Sequence, residues 1–149
     1  MSGVRFSLCS GAVATGAAKK TILQVVAAAN HRVHINELNV DFKGISNTAV
    51  PILIEIVTQS DAGTLDTALT PVKLVSSDSE TLQVDGSADA SAEPTQSALR
   101  REYYIHPQTG QTWQARFAEP LVIIGGARVA IAVTAAASVN CVVSVEGEE

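Results

Sequence analysis

Apolar and polar side chains alternate at every second residue through most of this chain, and this feature constrains the fold most. Val4, Phe6 and Leu8 occupy alternate positions near the N-terminus, and the same spacing recurs in 52–57 and in 128–135. A period of two places alternate side chains on opposite faces of a β-strand. No segment carries an apolar stripe at the helical period, so the sequence predicts an all-β protein.

The alternating segments are short and are separated by turn residues, and we count about nine to eleven of them. Many short strands without intervening helices predict an antiparallel β-sandwich, and this number of strands suits a jelly roll of two packed sheets. A length of 149 residues is that of one domain, so we expect a single β-sandwich over 1–149. The predicted core includes Ile52, Ile54, Ile56, Val129, Ile131 and Val133.

The apolar stretch from Leu121 to Val145 is long enough to cross a bilayer as a helix. Gly125-Gly126, Arg128 and Asn140 interrupt it, and its residues alternate with period two. Two strands joined by a turn therefore explain this stretch better than a membrane span. The N-terminal residues also lack the continuous apolar segment of a signal peptide, and we expect no membrane partner.

The segment from Ser76 to Leu99 is rich in small polar residues and has few large apolar ones. We predict a long polar loop or arm at about 76–99, either a mobile surface loop or an arm that reaches a neighbouring subunit. Asp85, Asp89 and Glu93 within it are candidate interaction residues. Arg100 and Arg101, which follow it, complete the candidate set.

The net charge of −5 arises from 15 acidic and 10 basic residues. Binding to a nucleic acid needs clustered Lys and Arg, but the chain has only the pairs Lys19-Lys20 and Arg100-Arg101. Nucleic acid is therefore excluded as a predicted partner.

The sequence predicts no catalytic, cofactor-binding or metal-binding residues. A spacing of three would place His31 and His34 on opposite faces of a strand, where they cannot share a metal. There is no Gly-x-Ser-x-Gly motif and no glycine-rich phosphate loop. We expect Cys9 and Cys141 to be free, buried thiols, since two cysteines do not form the framework of a secreted scaffold. The chain is thus predicted to be a structural or binding protein rather than an enzyme.

Four segments of the chain resemble small virion proteins of tailed bacteriophages, of the head decoration or cement type. They are 20–33, 59–64, 104–107 and 130–135, and the similarity extends from about Lys20 to Val145. The resemblance implies a jelly-roll subunit on the capsid surface, made in the host cytoplasm. Its implied partners are the major capsid protein, whose capsomers it bridges, and further copies of itself in a dimer or trimer. The resemblance supplies no catalytic residues.

The alternative is a carbohydrate-binding or adhesin-like β-sandwich module of a phage tail or fibre. Such a module needs an exposed aromatic platform or calcium ligands. Tyr103 and Tyr104 are adjacent and must point to opposite faces of a strand, and Trp113 is expected in the core or an interface.

The terminal segments 4–10 and 139–146 carry few charges and no Lys, which usually protects an edge strand. If either lies at a sheet edge, we expect it to pair with another chain.

Overall fold

The computed structural model describes residues 3–43, 50–106 and 113–149, and for 113–119 it describes the backbone alone. The described residues form strands and no helix, so they contain no helix that could cross a membrane. The strands are β1 (Arg5–Cys9), β2 (Val13–Ala14), β3 (Lys20–Val26), β4 (Val33–Lys43), β5 (Ile52–Gln59), β6 (Thr64–Leu69), β7 (Val72–Lys73), β8 (Asp85–Ala92), β9 (Gln96–Ile105), β10 (Trp113–Ile123), β11 (Arg128–Thr134) and β12 (Asn140–Glu148).

The strands form two antiparallel sheets that pack face to face, which confirms the predicted β-sandwich. The first sheet has the order β10-β4-β12-β1-β7, with β2 attached to β12, and the second has the order β6-β8-β3-β11-β5-β9. Four antiparallel pairs are nested along the chain: β1 with β12, β3 with β11, β4 with β10, and β5 with β9. This nesting is the jelly-roll arrangement of a long hairpin rolled into two sheets. The described strands number twelve, slightly above the prediction, because β2 and β7 are only two residues long.

The interior between the sheets is built almost entirely from aliphatic side chains. All six predicted core residues on β5 and β11 lie in it and are at most 2% exposed. Burial of each such side chain stabilises the fold by roughly 1.5–3 kcal/mol, because apolar surface is removed from water.

The prediction of a loop or arm over 76–99 is wrong for half of that segment. Asp85–Ala92 forms β8, which lies inside the second sheet between β6 and β3, and β9 begins at Gln96. Gly86, Ala88 and Ala90 alternate as the buried residues of β8. The other sheet approaches closely at Gly86, where a Cβ would lie 2.8 Å from the Leu8 Cδ1. Such residues contribute little to a hydrophobic pattern, which is why the alternation was missed.

The outer face of the second sheet is also buried. Val57, Ala130 and Ala132 are fully buried, yet they do not belong to the core cluster between the sheets. β8 and β9 lie on opposite sides of the three strands β3, β11 and β5. Residues 93–95, which join β8 to β9, therefore pass across this sheet and are called the crossing segment. It covers the outer face near Thr21, with which Glu93 forms hydrogen bonds.

The condition that a terminal strand lies at a sheet edge is not met by β12 and is met only in part by β1. β12 lies between β4 and β1, and β1 pairs with β7 through Phe6 and Ser7. The outermost strands are instead β6 and β9 in the second sheet and β7 and β10 in the first. Edge position depends on pairing between residues far apart in sequence, which strand composition does not reveal.

Candidate interaction surface

β9 is the most exposed long strand in the described part of the chain. Every residue from Gln96 to Glu102 is exposed, although a strand packed on a core normally buries every second side chain. Only at its end do the side chains of β9 reach the core: Ile105 is buried, and Tyr103 packs partly against the core. The exposed part of β9 therefore presents both of its faces to the surroundings.

The outer face of β9 carries Leu99, Glu102 and Tyr104. These residues lie opposite Val57, Glu55 and Leu53 of β5, in register. Leu99 is 47% exposed and Tyr104 is 67% exposed. We call these three β9 residues the outer patch.

The register of β9 against β5 is irregular in its first half. It shifts between Ile56 and Val57, where Arg100 is the extra residue, and again between Thr58 and Gln59, where Ser97 is the extra residue. The Ser97 hydroxyl donates to the Thr58 carbonyl at 3.1 Å, and the Arg100 Nε donates to the Thr58 hydroxyl at 2.9 Å. Bulges of this kind twist an edge and re-aim its side chains. Here they place Arg100 on the surface beside Arg101; we call this pair the arginine edge.

The structure separates the five candidate interaction residues into two groups. Arg100 and Arg101 lie on β9, at one side of the second sheet. Asp85 and Asp89 lie on β8 and Glu93 follows it, and the intervening strands β3, β11 and β5 separate β8 from β9.

The acidic group has partners within the chain. Asp89 forms an ion pair with Lys20 at 2.5 Å, and the Asp85 Oδ1 accepts the Gly86 N–H at 2.8 Å. Both Glu93 carboxylate oxygens accept hydrogen bonds from Thr21, one from its N–H and one from its hydroxyl, each at 2.7 Å. Asp89 and Glu93 therefore fasten the segment that crosses the second sheet.

A chain of polar side chains continues from Glu93 beneath that segment. The Thr21 hydroxyl accepts from the Gln59 amide at 2.9 Å, and the Gln59 oxygen accepts from the Gln24 amide at 2.7 Å. All three residues are at most 5% exposed. A buried polar group costs free energy unless it is hydrogen-bonded, so the network requires Glu93 to be in place. Sequence reasoning found Glu93 as a candidate but missed Thr21, Gln24 and Gln59, because their partners are distant in sequence.

Asp61 holds the two turns at the end of this segment together. Its Oδ1 accepts the N–H groups of Gly63 at 3.0 Å and Thr95 at 3.2 Å. Hydrogen bonds from Thr95 lower the pKa of Asp61 below its usual 3.8, and the Gly63 N–H and the charge of Arg128 act in the same direction. The ionised carboxylate is thus the form that the fold favours.

A second exposed region lies at the opposite side of the sandwich, on β6, β7 and the residues after β7. Val72 is 61% exposed, Leu74 is 39% exposed and Val75 is 44% exposed. β6 is exposed at four of its six positions, including Asp66. We call Asp66, Val72, Leu74 and Val75 the β6–β7 edge.

A cleft of about 610 Å³ opens at one end of the sandwich. Asn30, His31, Arg32, Glu80 and Glu149 are among its lining residues. The Glu149 carboxylate already accepts the N–H groups of Gln83 at 2.6 Å and Val84 at 2.8 Å. Among the described residues, no group of three or more His, Cys, Asp or Glu is placed to hold a metal ion.

The cysteine prediction is correct in part. Neither thiol forms a disulfide, but Cys9 is exposed and only Cys141 is buried. Cys9 lies on the outward face of β1, opposite Ser144. Burial raises the pKa of Cys141 to about 12, with a smaller contribution from the charge of Asp41.

The aromatic residues do not form a paired platform within the described side chains. Tyr103 lies opposite Ile54 on the core side of β5, whereas Tyr104 lies opposite Leu53 on the outer side. The side chain of Trp113 lies outside the described residues, so its predicted role stays a prediction.

Comparison with known proteins gave no match of any kind. No family model, curated protein or solved structure matches this chain.

Proposed function

We propose that this chain is a structural protein of a bacteriophage virion that attaches to the outer surface of the capsid and bridges neighbouring capsomers. The observation that carries the proposal is the exposure of β9 on both faces from Gln96 to Glu102. The jelly-roll fold and the resemblance of four segments to decoration proteins support it. It is proposed to act by binding alone and to need no cofactor.

The outer patch is the proposed contact with the capsid. Large apolar side chains on the surface of a strand lose unfavourable contact with water when a partner covers them. Leu99 and Tyr104 lie on one face of β9, with the half-buried Leu53 beside Tyr104. An exposed tyrosine with apolar neighbours is typical of the residues that dominate binding energy at protein interfaces.

The fold supports a mechanical role for such a contact. β9 is joined to β5 through eight paired residues, and β5 is joined to β11 at the centre of the sheet. A subunit bound to two capsomers resists their separation only if it does not deform itself. The well-packed core between the sheets provides this rigidity.

The test uses capsid particles that lack the protein. Purified wild-type protein and the variant Leu99→Ser/Tyr104→Ser are added to separate samples, and occupancy is measured by electron microscopy. We expect the variant to bind at least tenfold more weakly, which corresponds to about 1.4 kcal/mol. The matched control is Ile124→Ser, since Ile124 is 62% exposed but lies outside β9.

Equal occupancy by the wild type and the β9 variant would exclude the outer patch as the contact. No binding by the wild type to any capsid tested would contradict the proposed function. The carbohydrate-binding alternative predicts that the wild type is instead retained on a glycan array.

A further inference from the structure

We infer that the cleft at one end of the sandwich binds a short peptide whose amino and carboxyl termini are both free. The peptide carboxylate pairs with Arg32 and its ammonium group with Glu80, two residues that line the cleft. No residue of β9 lines it, so the inference does not depend on the proposed capsid contact.

Three segments that are distant in sequence form the cleft. The turn between β3 and β4 contributes residues 30–32, and the segment between β7 and β8 contributes Glu80, Thr81 and Gln83. The third part is Glu149, which follows β12 and is hydrogen-bonded through its backbone to Val4. The cleft therefore exists only in the folded chain.

Hydrogen bonds within the chain hold two walls of the cleft in place. In the turn after β3, the His31 N–H donates to the Ala28 carbonyl at 3.1 Å. In the segment before β8, the N–H groups of Gln83 and Val84 donate to the Glu149 carboxylate. A site that is already formed loses little conformational entropy when a ligand enters, which favours binding.

Arg32 and Glu80 are charges without partners. Both are exposed, and neither forms an ion pair or a hydrogen bond with another described residue. Glu149 is the third charged lining residue, but two N–H groups already hold its carboxylate. The cleft thus offers one unpaired cation and one unpaired anion on separate segments, as far as the described residues show.

A ligand with both charges fits this arrangement better than one with a single charge. A simple anion would pair with Arg32 but would share the cleft with the carboxylates of Glu80 and Glu149, and a simple cation would meet Arg32. Charge complementarity of this kind gives specificity, because the wrong charge is repelled. The preferred ligand is therefore a zwitterion.

The size and the remaining side chains of the cleft narrow the class to peptides. Its volume of about 610 Å³ lies within the range of about 300–1,000 Å³ that is usual for drug-sized ligands, and a single amino acid is much smaller. Asn30, Thr81 and Gln83 supply amide and hydroxyl groups that can donate to and accept from peptide groups. A short peptide carries its two charges at its ends and such polar groups between them.

His31 gives separate support for a polar ligand. Its Nδ1 is buried and has no hydrogen-bond partner among the described residues. An unpaired buried nitrogen costs free energy. A half-turn of the ring about the Cβ–Cγ bond exchanges the positions of Nδ1 and Cδ2, and a polar ligand in the cleft then provides the partner that the chain lacks.

The experiment titrates the full chain with trialanine and follows backbone amide shifts by NMR. N-acetyl-trialanine and trialanine amide, which each lack one terminal charge, are titrated in the same way. We expect trialanine to shift the amides of residues 30–32 and 80–83. Each blocked peptide should bind about tenfold more weakly, because it loses one charge-assisted hydrogen bond.

Three variants assign the contacts. Arg32→Gln should bind trialanine and its amide equally, and Glu80→Gln should bind trialanine and its N-acetyl form equally. His31→Leu should weaken trialanine binding by about threefold to tenfold, since one hydrogen bond is lost. Lys43→Gln and Asp66→Asn remove the same charges at exposed positions outside the cleft and should bind like the wild type. Circular dichroism checks that each variant is folded.

Other outcomes contradict the inference. If trialanine causes no shifts at its highest soluble concentration, or shifts only residues outside the cleft, the site is excluded. Equal binding of trialanine and both blocked peptides by the wild type would mean that the termini are not recognised. If Arg32→Gln and Glu80→Gln still discriminate like the wild type, these residues are not the contacts. Capsid occupancy, measured separately with the outer-patch variant, tests the proposed function independently.

Discussion

β8 and β9 follow one another along the chain and belong to the same sheet, but β8 is largely buried and β9 is largely exposed. β8 has the sequence DGSADASA and lies inside the sheet, whereas β9 has the sequence QSALRREYYI and forms its edge. The strand with fewer apolar atoms is the one that is buried. Burial of β8 follows from its position under the other sheet rather than from side-chain hydrophobicity, because Gly86 leaves room for the Leu8 side chain of that sheet.

Enlarging one alanine on each strand should give the largest difference in unfolding free energy between β8 and β9. Ala88 of β8 is fully buried and Ala98 of β9 is exposed. We expect Ala88→Leu to lower the free energy of unfolding by at least about 1–3 kcal/mol, because an overpacked interior must shift. Ala98→Leu, the matched control, should change it by less than about 0.5 kcal/mol. Chemical denaturation measures both, and equal effects would mean that β8 is not packed as described.

Replacing one carboxylate after β8 and one on β9 should change the unfolding free energy by a smaller amount. Glu93→Gln keeps one hydrogen-bond acceptor for Thr21 but loses the charge that strengthens both bonds. We expect a loss of about 1–2 kcal/mol in unfolding free energy. Glu102→Gln on β9 should have almost no destabilising effect, since Glu102 is exposed and lies opposite another carboxylate, Glu55.

The hydrogen bonds of Glu93 also give a prediction about β3, the strand that contains Thr21. If it fastens the crossing segment, amide hydrogens of Thr21 and its neighbours should exchange faster in Glu93→Gln than in the wild type. If these amide hydrogens exchange at the same rate in Glu93→Gln as in the wild type, other contacts hold the crossing segment.

The smallest expected effect is on the pH dependence of Tm and concerns Asp61, which binds the turn before β9. It is expected only at acid pH. The pKa of Asp61 is lowered in the folded protein, so its ionised form stabilises the fold at pH values above the unfolded pKa of about 3.8. This contribution is lost as the pH falls through the lower, folded pKa. Asp61→Asn should therefore flatten the dependence of Tm on pH below about 4. A pH series of thermal melts checks this, and an unchanged slope would contradict it.

The alternation of apolar residues predicted the all-β class, the sandwich and the six core residues on β5 and β11, because these depend on local spacing alone. It did not predict β8, whose small residues carry no apolar signal. It also did not identify β6, β7 and β9 as the exposed edges, since strand order depends on pairs such as Val26 with Asp85.

The candidate residues show the same limit. Charge and position singled out Arg100, Arg101 and Glu93. In the structure the two arginines are exposed on β9, whereas Glu93 forms hydrogen bonds with Thr21. Their roles could not be separated from sequence, because the Thr21 that holds Glu93 lies 72 residues away. The pattern of Val72, Leu74 and Val75 predicts an ordinary short strand. Their exposure follows from the short pairing of β7 with β1, which involves only two residues and is not evident from the sequence.

The nested pairing of strands has a consequence for how quickly this protein folds. Arg5 pairs with Glu148, and the pair Val129 with Val25 also joins distant parts of the chain. Chains dominated by contacts between distant residues fold slowly, because a large loop must close before those contacts stabilise it. β1 cannot pair with β12 until the ribosome has made the residues of β12. During that interval β1 has only its short pairing with β7, and its few charges make it prone to aggregation.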